Sequence, residues 1–191
     1  MTAPADLPLF PGLAPAAPEG FDYRPRLISP DMEGDLIDRF DSLDFEPFDF
    51  RGFKANRRIV AFGSRVSDGS EGLSHPDGLP PWLIPLRDAA AGFAGLTPDA
   101  LSRALIIDYP PSAGTGWHRD RPHYDQIVGV SLGSAAPLRF RRPTTSGWER
   151  RTVRLEPRSV YRLAGPVRDD WEHSIPPGET RRYAVTFRSL R

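Results

Sequence analysis

Trp117-His118-Arg119-Asp120 is the stretch whose reading decides the fold. Residues two apart on an extended strand point to the same side, so His118 and Asp120 can present an imidazole nitrogen and a carboxylate oxygen to one point in space. One further His from a distant segment completes a two-histidine, one-carboxylate facial triad, a ligand set that leaves positions open on a metal. Alone, the tripeptide is a weak signal, because H-x-D occurs by chance in many surface loops. Its weight depends on what the rest of the chain supplies.

The chain has no cysteine. That excludes disulfides, zinc–thiolate sites, iron–sulfur clusters and cysteine nucleophiles, so any metal is held by His and carboxylates. The His available are His75, His118, His123 and His173. A length of 191 residues suits one domain with a sizeable core. The 25 basic and 25 acidic side chains balance, so the total does not advertise nucleic acid, although a neutral sum can hide a basic face. Basic residues do become denser late, at Arg139, Arg141, Arg142, Arg150, Arg151 and Arg154. No apolar run approaches the roughly 18 residues of a membrane span. The N-terminus lacks the basic and then apolar pattern of a secretory signal. A cytoplasmic protein, monomeric and without a membrane partner, is the expectation.

Residues 1–20 are rich in Pro and Ala and read as an extended arm, followed by a single domain over 21–191. Ser29-Pro30-Asp31 supplies an N-cap, a proline at the first helical position and an acid in the first turn, opening a helix to about Leu43. Phe45–Phe50 and Arg57–Gly63 read as strands, and Ser67–Pro81 as a long loop. A helical stripe runs from Pro81 to about Phe93, and Thr97-Pro98-Asp99 opens a helical turn. Strands follow at Leu105–Ile107, Trp117–Asp120, Ile127–Leu132, Pro137–Arg142, Thr152–Leu155, Ser159–Leu163 and Tyr183–Phe187. Helices confined to the first half, then many short strands, suggest helices packed on a β-sandwich or jelly roll.

Two further segments bear on the opening dyad. Trp171-Glu172-His173-Ser174-Ile175 lies far enough beyond Asp120 to come from a separate strand. For His173 alone a hydrogen-bonded structural histidine is the plainer reading; beside H-x-D it becomes the missing ligand. In Arg182-Tyr183-Ala184-Val185-Thr186-Phe187-Arg188, an even spacing puts Arg182, Ala184, Thr186 and Arg188 on one face. Two inward guanidinium groups are costly unless they meet anions. A small dicarboxylic acid satisfies both, since Arg grips carboxylates through paired hydrogen bonds; an edge strand with solvated arginines is the alternative.

Together these features closely resemble the AlkB family of Fe(II)- and 2-oxoglutarate-dependent dioxygenases. The resemblance rests on Ile107-Asp108-Tyr109-Pro110-Pro111, His118-Arg119-Asp120, Ile127 through Gly133, Glu172-His173-Ser174-Ile175 and Arg182 through Arg188, in the family's order. It implies an α+β, mainly β fold: a double-stranded β-helix (jelly roll) over about 104–191, with supporting helices and an N-terminal nucleotide-recognition lid over about 45–81. It implies that His118, Asp120 and His173 hold Fe(II) and act as the catalytic centre. Tyr109, Arg182, Arg188 and Thr186 would bind 2-oxoglutarate. With O2, decarboxylation to succinate drives hydroxylation of a C–H bond, and on an N-methylated base the product releases formaldehyde. Arg57, Arg58, Arg65, His123 and Tyr124 are the expected substrate-binding residues, and alkylated DNA or RNA the expected partner.

The chain departs from the family pattern at Ala184, where some members carry a polar side chain on the co-substrate. It departs again at Pro122, where repair members place an acid. Phe62-Gly63-Ser64-Arg65-Val66 lacks the lid aromatics that stack a flipped base. Three functions remain in view: a nucleic-acid demethylase, the same oxygenase acting on modified tRNA, protein or a small metabolite, and a non-catalytic module keeping the fold. Five inward polar groups speak against the last.

Overall fold

A computed structural model of the chain describes residues 17–50, 53–63, 74–75 and 78–191. In order the elements are β1 (Phe21–Arg24), α1 (Pro30–Asp41), β2 (Glu46–Phe50), β3 (Phe53–Gly63), β4 (Ser74–His75), α2 (Ile84–Ala94), β5 (Arg103–Tyr109), β6 (Thr115–His118), β7 (Tyr124–Leu132), β8 (Ala136–Thr144), β9 (Gly147–Leu155), β10 (Ser159–Leu163), α3 (Pro166–Asp169), β11 (Glu172–Ile175) and β12 (Arg182–Leu190). The eight-stranded sheet runs β1-β10-β7-β12-β5-β3-β2, with β4 beside β3, and a four-stranded sheet runs β6-β11-β8-β9. This is the mainly β jelly roll that the sequence suggested.

The large sheet has two distinct faces because its strands alternate. Tyr183, Val185 and Phe187 of β12 join Val128 and Val130 of β7, Ile106 of β5 and Val60 of β3 in one apolar cluster. Leu36 and Phe40 of α1 and Leu86 and Ala90 of α2 close over it. The Ser29 side chain caps α1 by accepting from Met32 N at 3.1 Å, as the sequence dictates. Both helices therefore buttress the sheet from outside.

Arg182, Ala184, Thr186 and Arg188 point the other way, between the sheets. Their cross-strand partners on this face include Ser131 and Ile107 beside Ala184, and Gly129 and Leu105 beside Thr186. Two smaller apolar clusters occupy this interior. One gathers Tyr124, Phe140, Tyr161 and Trp171; the other gathers Ile59, Leu105, Ile107 and Tyr109.

Of the arm expected over residues 1–20, residues 1–16 lie outside the described part. Glu19 and Gly20 already accept hydrogen bonds from Val167 N and Ala164 N. Beyond them β1 pairs with β10, an edge strand the sequence did not signal. The lid expected over 45–81 is described only in β2, β3, β4 and the approach to α2, so Arg65 and most of the long loop lie outside the described residues. β9 begins earlier than its apolar residues suggested, because Gly147 to Arg151 are charged or exposed yet pair fully with β8. Among the described residues no helix is long and apolar enough to cross a membrane.

Candidate active site

His118 ends β6 and lies directly opposite His173 of β11, with ring centroids 4.2 Å apart. His118 Nδ1 sits 3.0 Å from the Gly116 carbonyl. With its proton on Nδ1 the ring donates to that carbonyl, which leaves Nε2 as a lone-pair donor. The strand expected over Trp117–Asp120 stops at His118, so Asp120 does not reach the site by alternation. It enters from the following loop, which Arg168 holds by donating to the carbonyls of Arg121 and Tyr124. His173 Nε2 is then 3.5 Å from Asp120 Oδ2, and one donor atom from each of the three residues lies within 4.8 Å of the others.

The electrostatics suit a cation. Burial above all, and then His118, push His173 down to about 3, so the imidazole stays neutral and able to ligate. Burial alone would raise the Asp120 carboxyl, but His173, Arg188, His118 and Arg168 hold it below its ordinary value. Asp120 Oδ2 is buried and accepts no hydrogen bond among the described residues. Two imidazoles and a carboxylate oxygen that accepts no hydrogen bond among the described residues, set around one point, fit a divalent iron.

A second set of groups faces the same interior. Arg182 is 4% exposed; its Nε donates to Ser131 Oγ at 3.2 Å, while its Nη1 is buried without a hydrogen bond among the described residues. The Tyr109 ring lies beneath that guanidinium, 5.0 Å from Cζ, and its hydroxyl is 2.9 Å from Thr115 Oγ1. Arg188 Nη2 approaches Asp120 Oδ1 at 4.0 Å. An unsatisfied buried cation, with a second cation beside the metal ligands, fits a dicarboxylate chelating that metal. The Thr186 hydroxyl donates to the Leu105 carbonyl at 3.4 Å, so its hydrogen is turned into the sheet.

The residues expected to meet substrate divide. Arg57 lies beside the interior cluster, its Cζ 4.0 Å over the Phe48 ring and its Nη1 3.4 Å from the Gly114 carbonyl. Burial lowers its pKa, partly offset by nearby Tyr109. Arg58, as Arg57's neighbour in sequence, faces the helix side and pairs with buried Asp108. Tyr124 lies inside the fold. It is 1% exposed, with Arg188 5.1 Å and Arg103 5.8 Å over its ring, so it is core and not a stacking platform. His123 packs edge-on against Tyr124, at 4.2 Å between centroids. Trp117 and Arg119 point away from the ligands: Trp117 lies under Arg139 and Arg141, and Arg119 donates to the Asp170 carbonyl.

The sequence reading missed Arg103, Tyr161 and Arg168. Arg103 shares the face of Leu105, Ile107 and Tyr109 by even spacing, a signal present in the sequence. Arg168 required knowledge of which loop α3 abuts.

Comparison with known proteins places this geometry. Residues 67–188 match the family model of the 2OG-Fe(II) oxygenase superfamily. An uncharacterized protein of Acanthamoeba polyphaga mimivirus is 30% identical over 99 residues, covering 45% of this chain and 47% of that protein; the chain thus spans about half the length of this relative. Among solved structures, OsALKBH1 is similar with a TM-score of 0.66 at 19% identity, covering 91% of this chain and all 100% of that one. A Pseudomonas putida prolyl-4-hydroxylase gives 0.58 at 16%, covering 90% and 93%. A Trichoplax adhaerens prolyl hydroxylase, in complex with a hypoxia inducible factor peptide fragment, gives 0.62 at 14%, covering 90% and 83%. These likenesses speak for the fold. With the matched family model spanning the metal ligands and both inward arginines, the chain belongs to the 2OG-Fe(II) oxygenase superfamily, with Fe(II), 2-oxoglutarate and O2 as its cofactor and co-substrates.

Proposed function

We propose that the chain is an oxidative demethylase of N-alkylated bases in DNA or RNA. His118, Asp120 and His173 would hold Fe(II), and Arg182, Tyr109 and Arg188 would hold 2-oxoglutarate. The bound metal and co-substrate together would supply the oxidant: O2 and 2-oxoglutarate yield CO2, succinate and one oxygen inserted into a C–H bond of the N-methyl group. The resulting N–CH2OH group loses formaldehyde and returns the unmodified base. The protein's part is to seat the dicarboxylate in a dry interior walled by Ile59, Leu105 and Ile107, where its ion pairs are strong.

One observation carries the nucleic-acid part. On the exposed face of the four-stranded sheet, Arg141 is sandwiched between Trp117 at 4.5 Å and Trp148 at 4.4 Å, with Arg139 5.1 Å from Trp117. Guanidinium groups for phosphates, interleaved with aromatic faces for bases, are the means by which single strands are gripped. Glu172 offsets part of that charge through its 2.6 Å pair with Arg141. OsALKBH1 supports the reading as an AlkB-type neighbour in fold. The same chemistry on another substrate, such as a peptide, is the second reading, because two prolyl hydroxylases share the fold.

The test is a panel of methylated DNA and RNA oligonucleotides, single- and double-stranded, incubated with Fe(II), ascorbate and 2-oxoglutarate. A parallel arm uses proline-containing peptides. Loss of methyl mass from any oligonucleotide supports demethylation. Intact oligonucleotides with an oxidised peptide would move the assignment to the second reading.

A further inference from the structure

Tyr161 lies mid-way along β10 and pairs with Gly129 of β7, which pairs in turn with Thr186 of β12. A Cβ placed on Gly129 would sit 2.2 Å from Tyr161 Cζ and 2.4 Å from its hydroxyl oxygen. The phenol end therefore rests on bare glycine backbone, crossing β7 from β10 toward the arginine strand. Any other residue at 129 would displace it. The ring is 8% exposed and stacks on Phe21, with centroids 6.3 Å apart.

The charged and polar groups acting on this phenol are Arg182, Tyr109, Asp120 and Arg188. They are the groups assigned above to the co-substrate and the metal. Burial raises the phenol's pKa, so at neutral pH it keeps its proton and is a hydrogen-bond donor. Other donors on this stretch of the interior are scarce. Ala184 and Ile107 have none, and Thr186 gives its proton to the Leu105 carbonyl. A dicarboxylate brings more acceptor positions than the arginines alone fill.

We propose that Tyr161 is a co-substrate-positioning residue whose hydroxyl donates a hydrogen bond to a carboxylate oxygen of 2-oxoglutarate, and that Gly129 is what lets it reach. The proposal rests on the family's co-substrate being bound in this interior. It supplies the polar contact that Ala184 cannot make.

The experiment compares wild type with Tyr161→Phe, which keeps the ring on Gly129 and removes only the hydroxyl. The full chain is loaded with redox-silent Mn(II), and 2-oxoglutarate binding is followed by calorimetry beside the Mn(II) affinity and the melting temperature. Loss of a hydrogen bond to a charged group should weaken 2-oxoglutarate binding by about tenfold to hundredfold, with Mn(II) affinity and melting temperature unchanged. In turnover, KM for 2-oxoglutarate should rise while kcat at saturation holds. Gly129→Ala, which displaces the phenol, should weaken 2-oxoglutarate binding in the same direction. Equal 2-oxoglutarate affinity in wild type and Tyr161→Phe would overturn the proposal and leave Tyr161 as core packing. Wild type that binds Mn(II) but no 2-oxoglutarate would overturn the co-substrate reading itself.

Discussion

His118 and His173 are direct cross-strand partners on β6 and β11, their rings 4.2 Å apart in the narrow space between the sheets. Two imidazoles placed this closely beside the Asp120 carboxylate have one common use, which is to share a cation.

Metal content should follow from that pairing. His118→Ala and His173→Ala each remove one of three donors, and metal-ligand losses of this kind cost at least the 10- to 100-fold of an outer-shell change. Elemental analysis after loading with Fe(II) under anaerobic conditions should find about one equivalent in wild type and little in either variant. Full occupancy in His173→Ala would remove that residue from the ligand set.

Arg182 makes a two-sided prediction. Its Nη1 is buried without a hydrogen bond among the described residues, so in the ligand-free chain this cation is a burden on stability. Arg182→Met should leave the ligand-free melting temperature equal or higher. The same change should abolish the rise in melting temperature that 2-oxoglutarate gives the Mn(II)-loaded wild type. A large loss of stability in the ligand-free variant would mean that Arg182 is a structural residue.

Asp108 marks the opposite case, a buried charge serving the fold. It is fully buried, and Arg58 and Arg181 both donate to it from the helix side of the sheet. Asp108→Ala should cost about 2 kcal/mol by denaturant titration, because two charge-assisted hydrogen bonds disappear. Arg58→Ala should cost under about 1 kcal/mol, since that side chain is half exposed and Arg181 remains. Metal loading should be unaffected in both; impaired loading would place Asp108 in the site.

Acid should destabilise the metal-free chain in a particular window. Burial and His118 lower His173 from 6.5 to about 3, so between those values the unfolded chain binds a proton that the folded chain does not. The stability contribution is therefore complete above about pH 6.5 and is lost as pH falls toward about 3. Asp120, also lowered, adds its loss below the ordinary carboxylate range. Urea midpoints measured against pH in the presence of chelator should flatten between pH 6.5 and 4 in His173→Gln. An unchanged pH profile in that variant contradicts the assignment.

The site was legible wherever alternation carried the information. Arg182 and Arg188 sit on one strand, where counting by twos places both inward, while His173 follows from the need for a distant third ligand beside H-x-D. Asp120 reached the correct point by another route, through a loop that Arg168 holds. Counting also separates Arg57 from Arg58, which as neighbours must face opposite sides; treating them as a pair hid that Arg58 serves Asp108. Tyr124, expected among the substrate contacts, begins β7 inside the sandwich. Tyr161 could not be found from sequence, since its role depends on a cross-strand neighbour 32 positions away being glycine. The charged start of β9 was hidden because its pairing comes from the β8 backbone and not from an apolar face.

The most direct measurement is 2-oxoglutarate-dependent succinate formation by the Fe(II)-loaded full chain, in wild type and in His118→Ala. Wild type should form succinate only when Fe(II), 2-oxoglutarate and O2 are all present, and His118→Ala should lose it by about a hundredfold or more. Turnover in His118→Ala at the wild-type rate, or no succinate from iron-loaded wild type, would contradict the account.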